Sequence, residues 1–123
     1  MGRTILVADD NAVVRKMLSR MFEGEDGYEL CAVATNGQEA IDLAVIHRPE
    51  LIILDLSMPV MNGLNASQKL KTIMPTVPII LFTQHADLGR TLFPNGSWVD
   101  RVVSKDDATQ LMRHIRELIP AEV

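Results

Sequence analysis

The chain has 123 residues, a formal net charge of −4 and one cysteine, which fits a single domain and excludes a disulfide framework. Hydrophobic residues make up 47% and charged residues 23%, the balance of a soluble globular domain and not of a disordered chain. The acidic charge is scattered and leaves no footprint for nucleic acid. No segment is apolar enough over a membrane-spanning length, and Met1-Gly2-Arg3-Thr4-Ile5 carries no secretory core. Cys31 lies in an apolar stretch, so a buried thiol in a reducing cytoplasm is expected.

Short β-branched runs alternate with helical periodicities along the chain. Five strands are predicted at Thr4–Ala8, Tyr28–Ala34, Leu51–Leu54, Pro78–Phe82 and Trp98–Val103. Between them, Val14, Met17, Leu18 and Met21 share one helical face, as do Ala40, Ile41, Ala44 and Val45. Further helices are predicted at Leu64–Met74, at Ala86–Phe93, and through Ala108, Leu111, Met112, Ile115 and Ile119. Strands alternating with helices imply a parallel sheet covered on both faces.

The first, third and fourth strands are continuously apolar, as central strands must be. The second carries Glu29 and the fifth Asp100 and Arg101, which marks both as edges. Those assignments suit a doubly wound sheet of order 2-1-3-4-5, whose ligands gather at the carboxyl ends of the strands. Asp9 and Asp10 leave strand one there, Asp55 strand three, Thr83 strand four and Lys105 strand five. Three carboxylates this close call for a cation, and Mg²⁺ with oxygen ligands answers that need. A carboxylate also serves as a nucleophile toward phosphorus, with the metal, Lys105 and the Thr83 hydroxyl neutralising the phosphoryl oxygens. Taken singly, each residue has a plain alternative: Asp10 or Asn11 as a helix cap, Asp55 in a solvated loop, Lys105 merely exposed.

These motifs carry a resemblance. Ile5-Leu6-Val7-Ala8-Asp9-Asp10, Asp55-Leu56-Ser57-Met58-Pro59-Val60-Met61-Asn62-Gly63, Thr83 and Lys105 together resemble the receiver domain of bacterial two-component response regulators. The likeness covers nearly the whole of residues 1–123. It implies a flavodoxin-like (βα)5 fold in three α/β/α layers. It further implies that Asp55 accepts a phosphoryl group from a histidine kinase or phosphotransfer protein. Asp9 and Asp10 would bind Mg²⁺ together with Asp55, and Ser57 would add its backbone carbonyl. Lys105 would pair with the acyl phosphate, and Thr83 would turn its hydroxyl toward it and pass the signal to a downstream protein target. Such a switch modifies itself and is not a metabolic enzyme.

Some positions depart from the family pattern. Val102 stands three residues before the lysine, where the family usually has an aromatic that swings inward on activation. Trp98 and Phe93 are expected to pack in the core or at the sheet edge instead of replacing it. Asp106 follows Lys105 where proline is frequent, so a trans bond is expected, with Ser104, Asp106 and Asp107 offering caps to the last helix. Gly89 and Pro94 predict a short, frayed fourth helix and a turn at Asn95-Gly96. Gln84 and His85 flank the phosphate entrance; tuning of acyl-phosphate hydrolysis and, for His85, simple exposure both stay open.

After the last helix only Pro120–Val123 remain, so no DNA-binding output domain is expected in this chain. A homodimer through the fourth helix and fifth strand is an option against which Val102 and the broken helix weigh. Two rival readings are a phosphorylation-independent adaptor with this fold and a Mg²⁺-dependent phosphohydrolase. The absence of any cap or sizeable substrate pocket in the sequence argues against the second.

Overall fold

A computed structural model describes residues 2–94 and 97–122; the turn expected at Asn95-Gly96 lies outside them. The strands are β1 (Arg3–Ala8), β2 (Tyr28–Ala34), β3 (Leu51–Leu54), β4 (Ile79–Thr83) and β5 (Arg101–Ser104). The helices are α1 (Ala12–Glu23), α2 (Gly37–His47), α3 (Gly63–Ile73), α4 (Ala86–Leu92) and α5 (Leu111–Leu118), the last preceded by a 3₁₀ segment at Lys105–Gln110. All neighbouring strands pair in parallel in the order β2-β1-β3-β4-β5, as expected from the apolar centre and charged edges.

Alternation along the strands sorts the core into two layers. Leu6, Ile52, Leu54, Ile79 and Leu81 face Ala40, Ala44, Ala66, Leu70 and Phe93 on the α2–α3–α4 side. Ile5, Val7, Ile53, Ile80 and Phe82 face Leu18, Phe22, Leu111, Met112 and Ile115 on the α1–α5 side. Nearly every core side chain from β1, β3 and β4 is less than 2% exposed, so the sheet centre is rigid and its carboxyl edge is held in fixed register.

The same chemistry starts three helices at that edge. Asn11, Asn36 and Asn62 each occupy an N-cap and accept backbone N–H groups of the first turn, from Val13 and Val14, from Glu39, and from Asn65. Two glycines let these helix starts crowd the loop after β3. A Cβ on Gly63 would sit far inside the contact limit of the Asp55 carbonyl, and one on Gly37 would strike the Met61 carbonyl. Their own N–H groups bond Leu56 and Met61 carbonyls at 2.8 and 2.9 Å.

Several expectations need correction. Trp98 lies outside β5 and is 41% exposed, whereas Phe93 is buried as expected. Met17 and Val45 fall on exposed flanks of their helices, because the buried stripes are narrower than their apolar sequence. Cys31 is half-buried and not part of the core: the β1–β2 register skips it, Leu30 pairing with Ile5 and Ala32 with Leu6. Burial still pushes its thiol above the ordinary value, which keeps it protonated. The segment after β5 is not the start of α5. Ser104 caps the 3₁₀ turn by accepting the Asp106 N–H at 3.1 Å, and Asp107 leaves helical geometry there. No cis bond occurs among the described residues, as expected after Lys105.

Candidate functional site

Strand parallelism brings Asp9, Asp10, Asp55 and Lys105 to one end of the sheet. Asp9 follows β1 and lies beside Asp55, which follows β3; their backbone N–H groups bond Ala34 and Ala8 carbonyls at 3.1 and 3.0 Å. Lys105, just past β5, reaches across the sheet edge. Its Nζ lies 2.7 Å from Asp9 Oδ2 and 3.1 Å from Asp55 Oδ2. All three side chains are less than 10% exposed. Asp10 is exposed and stands at the rim, with one oxygen each from Asp9, Asp10 and Asp55 lying within 4.8 Å of one another.

Burial pushes the Asp9 carboxyl above its usual range, and the neighbouring Asp55 charge adds to that; the Lys105 hydrogen bond and the Asn11 N–H only partly oppose it. Burial alone pulls Lys105 down, but the hydrogen bond and charge of Asp9, with those of Asp55, outweigh it and hold the ammonium above its ordinary value. A single fixed cation thus balances three carboxylates incompletely. The donor set is all oxygen and carries surplus negative charge, which suits a hard divalent ion such as Mg²⁺.

The cluster opens onto a cavity of about 160 Å³ lined by Asp10, Asn11, Asp55, Ser57, Gln84, His85 and Lys105. Ser57, Gln84 and His85 thus lie beside Asp55 and Lys105 around this cavity. Thr83 is at the same strand end but fully buried, and its Oγ1 accepts the His85 backbone N–H at 3.1 Å. It does not line the cavity in this conformation. Val102 is not at the site. It pairs with Leu81 in the β4–β5 ladder and packs under α4, where a Cβ on Gly89 would come 2.8 Å from Leu81 and 3.2 Å from Val102. Gly89 is thus a close-approach residue, a role that its helix-weakening reading did not reveal.

Sequence reasoning also missed Arg15, whose Nη1 donates to the Asp9 carbonyl at 2.9 Å, and the cavity-lining role of Asn11 beyond its cap. An asparagine before a helical run signals a cap, but nothing in the spacing of Arg15 shows that it reaches back.

The model of the response regulator receiver domain matches residues 5–117. The transcriptional regulatory protein PdtaR of Mycobacterium tuberculosis is 40% identical over 84 residues, 67% of this chain and 40% of that protein. A protein-glutamate methylesterase/protein-glutamine glutaminase of Paramagnetospirillum magneticum is 35% identical over 106 residues, 86% of this chain and 30% of that protein. The chain thus spans less than half the length of these curated relatives. Among solved structures, the response regulator domain of Thermotoga maritima CheB superposes with a TM-score of 0.84 at 21% identity, covering 100% of both chains. No described helix is long and apolar enough to cross a membrane.

Proposed function

The chain belongs to the response regulator receiver domain family, and from that membership we propose that residues 1–123 form one phosphoacceptor domain of a two-component phosphorelay, modified on Asp55. The observation that carries this reading is the Lys105 ammonium bonded to both Asp9 and Asp55 at the mouth of a polar cavity.

The donor is a phosphohistidine on a kinase or phosphotransfer protein. An Asp55 carboxylate oxygen forms the new P–O bond as the P–N bond breaks, and the departing imidazole keeps the electron pair and takes up a proton. Lys105 holds the attacking carboxylate in place and faces the transferred phosphoryl oxygens. Asp9, Asp10, Asp55 and the Ser57 backbone carbonyl would hold Mg²⁺, which would supply charge neutralisation at the phosphoryl oxygens. Gln84 and His85 border the cavity where water must approach the acyl phosphate, so they set how fast it hydrolyses.

Phosphorylation adds about −1.5 to −2 charge at one point. Thr83 then donates its hydroxyl proton to the phosphate while still accepting the His85 N–H, and so draws the β4–α4 turn inward. Since Val102 lacks an aromatic ring and Gly89 lets α4 rest directly on β4 and β5, the movement passes to α4 as a body and changes which protein target binds. Adding beryllofluoride with Mg²⁺ and following backbone amide spectra tests this. Shifts running through α4 and β5 are expected. Shifts confined to residues around the cavity would favour the adaptor reading, for which Val102 is the motivating departure.

A further inference from the structure

We infer that Arg15 is a positioning residue for the acidic pair, fixing the β1–α1 turn so that the Asp9 and Asp10 carboxylates converge with that of Asp55. The inference rests on the Mg²⁺ reading above. Arg15 lies one turn into α1, and helical side chains lean toward the helix N-terminus, so its guanidinium reaches back over the turn. There Nη1 donates to the Asp9 carbonyl at 2.9 Å, while the Arg15 N–H bonds the Asn11 carbonyl at 3.1 Å. The Asn11 N–H in turn donates to Asp9 Oδ1 at 2.9 Å. The peptide plane between Asp9 and Asp10 is therefore held from the helix side.

That plane matters most for Asp10. Among the described residues its exposed carboxylate forms no hydrogen bond of its own, so only the placement of its backbone anchors it near the site. The placement of the cation is also telling. A positive charge near a helix N-terminus opposes the macrodipole, and the first turn of α1 carries no acidic residue to offset it. An arginine there is electrostatically unfavourable for the helix but well placed for the turn.

Charge and positioning predict opposite signs, which makes the test sharp. Removing a cation near a cation site strengthens Mg²⁺ binding by charge alone; loosening the carboxylates weakens it. Mg²⁺ affinity of the full chain is measured by calorimetry for wild type, Arg15→Met and Arg15→Gln, with the Asn11 amide resonance and its hydrogen exchange followed in EDTA. Positioning predicts about tenfold weaker Mg²⁺ binding in both variants, by analogy with partners that orient metal ligands. It also predicts a shifted, faster-exchanging Asn11 amide without metal, and substantial recovery of both in Arg15→Lys. If Arg15→Met does not fold, Arg15→Gln carries the same prediction. Unchanged or tighter Mg²⁺ binding would overturn the assignment, and so would an unaltered Asn11 amide in EDTA. A disturbed Asn11 amide in a protein whose wild type takes up no Mg²⁺ would leave the turn intact as a finding and refute the metal reading.

Discussion

Replacing Lys105 by methionine keeps the length of the side chain and removes its charge. The ammonium sits 2.7 Å from Asp9 and 3.1 Å from Asp55. At an effective dielectric near 20, those two contacts amount to a gross attraction of order 10 kcal/mol. Most of it is cancelled by the hydration that lysine gives up on folding. What remains when one partner of a buried pair is removed is about 3–5 kcal/mol, and the opening of this cluster to the cavity places it near the low end. An unfolding entropy of about 2.1 cal/mol/K per residue over 123 residues converts about 3 kcal/mol into a Tm lower by about 12 °C.

Thermal and urea unfolding in EDTA should show that loss. Mg²⁺ should then narrow the gap to wild type, because an ion that binds only the folded state at about 100 times its Kd adds about 2.7 kcal/mol, and the variant offers it an uncompensated carboxylate cluster. The pH dependence follows from the raised Lys105 value: its contribution is complete below the ordinary lysine value near 10.5 and is lost as pH climbs through the folded value. Toward high pH, the difference between wild type and Lys105→Met should stay level up to about pH 10 and shrink above it. A variant within about 1 kcal/mol of wild type in EDTA, with a flat pH profile, would refute the claim that Lys105 balances the cluster.

Gly63→Ala drives a methyl into the Asp55 carbonyl and should lower stability in urea by about 3 kcal/mol, at the severe end of overpacking. Val60 is 82% exposed and adopts φ 66°, a left-handed conformation that strains a β-branched residue. Val60→Asn should therefore raise stability by about 1 kcal/mol, seen as a Tm gain of about 4 °C. The buried Tyr28 hydroxyl donates to the Ile119 carbonyl at 2.8 Å; Tyr28→Phe should lose about 1 kcal/mol in urea and speed exchange at the end of α5.

Much of this architecture was legible because β1, β3 and β4 are buried on both faces, which leaves residues 5–8, 51–54 and 79–82 without a polar side chain, whereas Glu29 in β2 and Asp100 and Arg101 at the start of β5 betray the edges. The site was legible for a related reason: a parallel sheet sends all its strand ends to one edge, so Asp9, Asp10, Asp55 and Lys105 had to meet. The misreadings arose where geometry depends on something other than periodicity. Gly89 looked like a weak point in a helix, yet its missing side chain is what lets α4 touch Leu81 and Val102. The bond from the His85 N–H to the Thr83 hydroxyl is likewise a feature of the turn that no residue pattern announces. Cys31 drops out of the core through a register shift that no residue pattern announces. Arg15 reads as an ordinary exposed helical cation until the turn it reaches is seen.

The most direct test of the central claim is intact mass after incubation with Mg²⁺ and acetyl phosphate, beside an Asp55→Asn control. The account predicts one added phosphoryl group on the wild type, none on the control, and loss of the adduct as the acyl phosphate hydrolyses. A folded wild type that binds Mg²⁺ yet gains no mass would contradict it, and so would equal labelling of the Asp55→Asn protein.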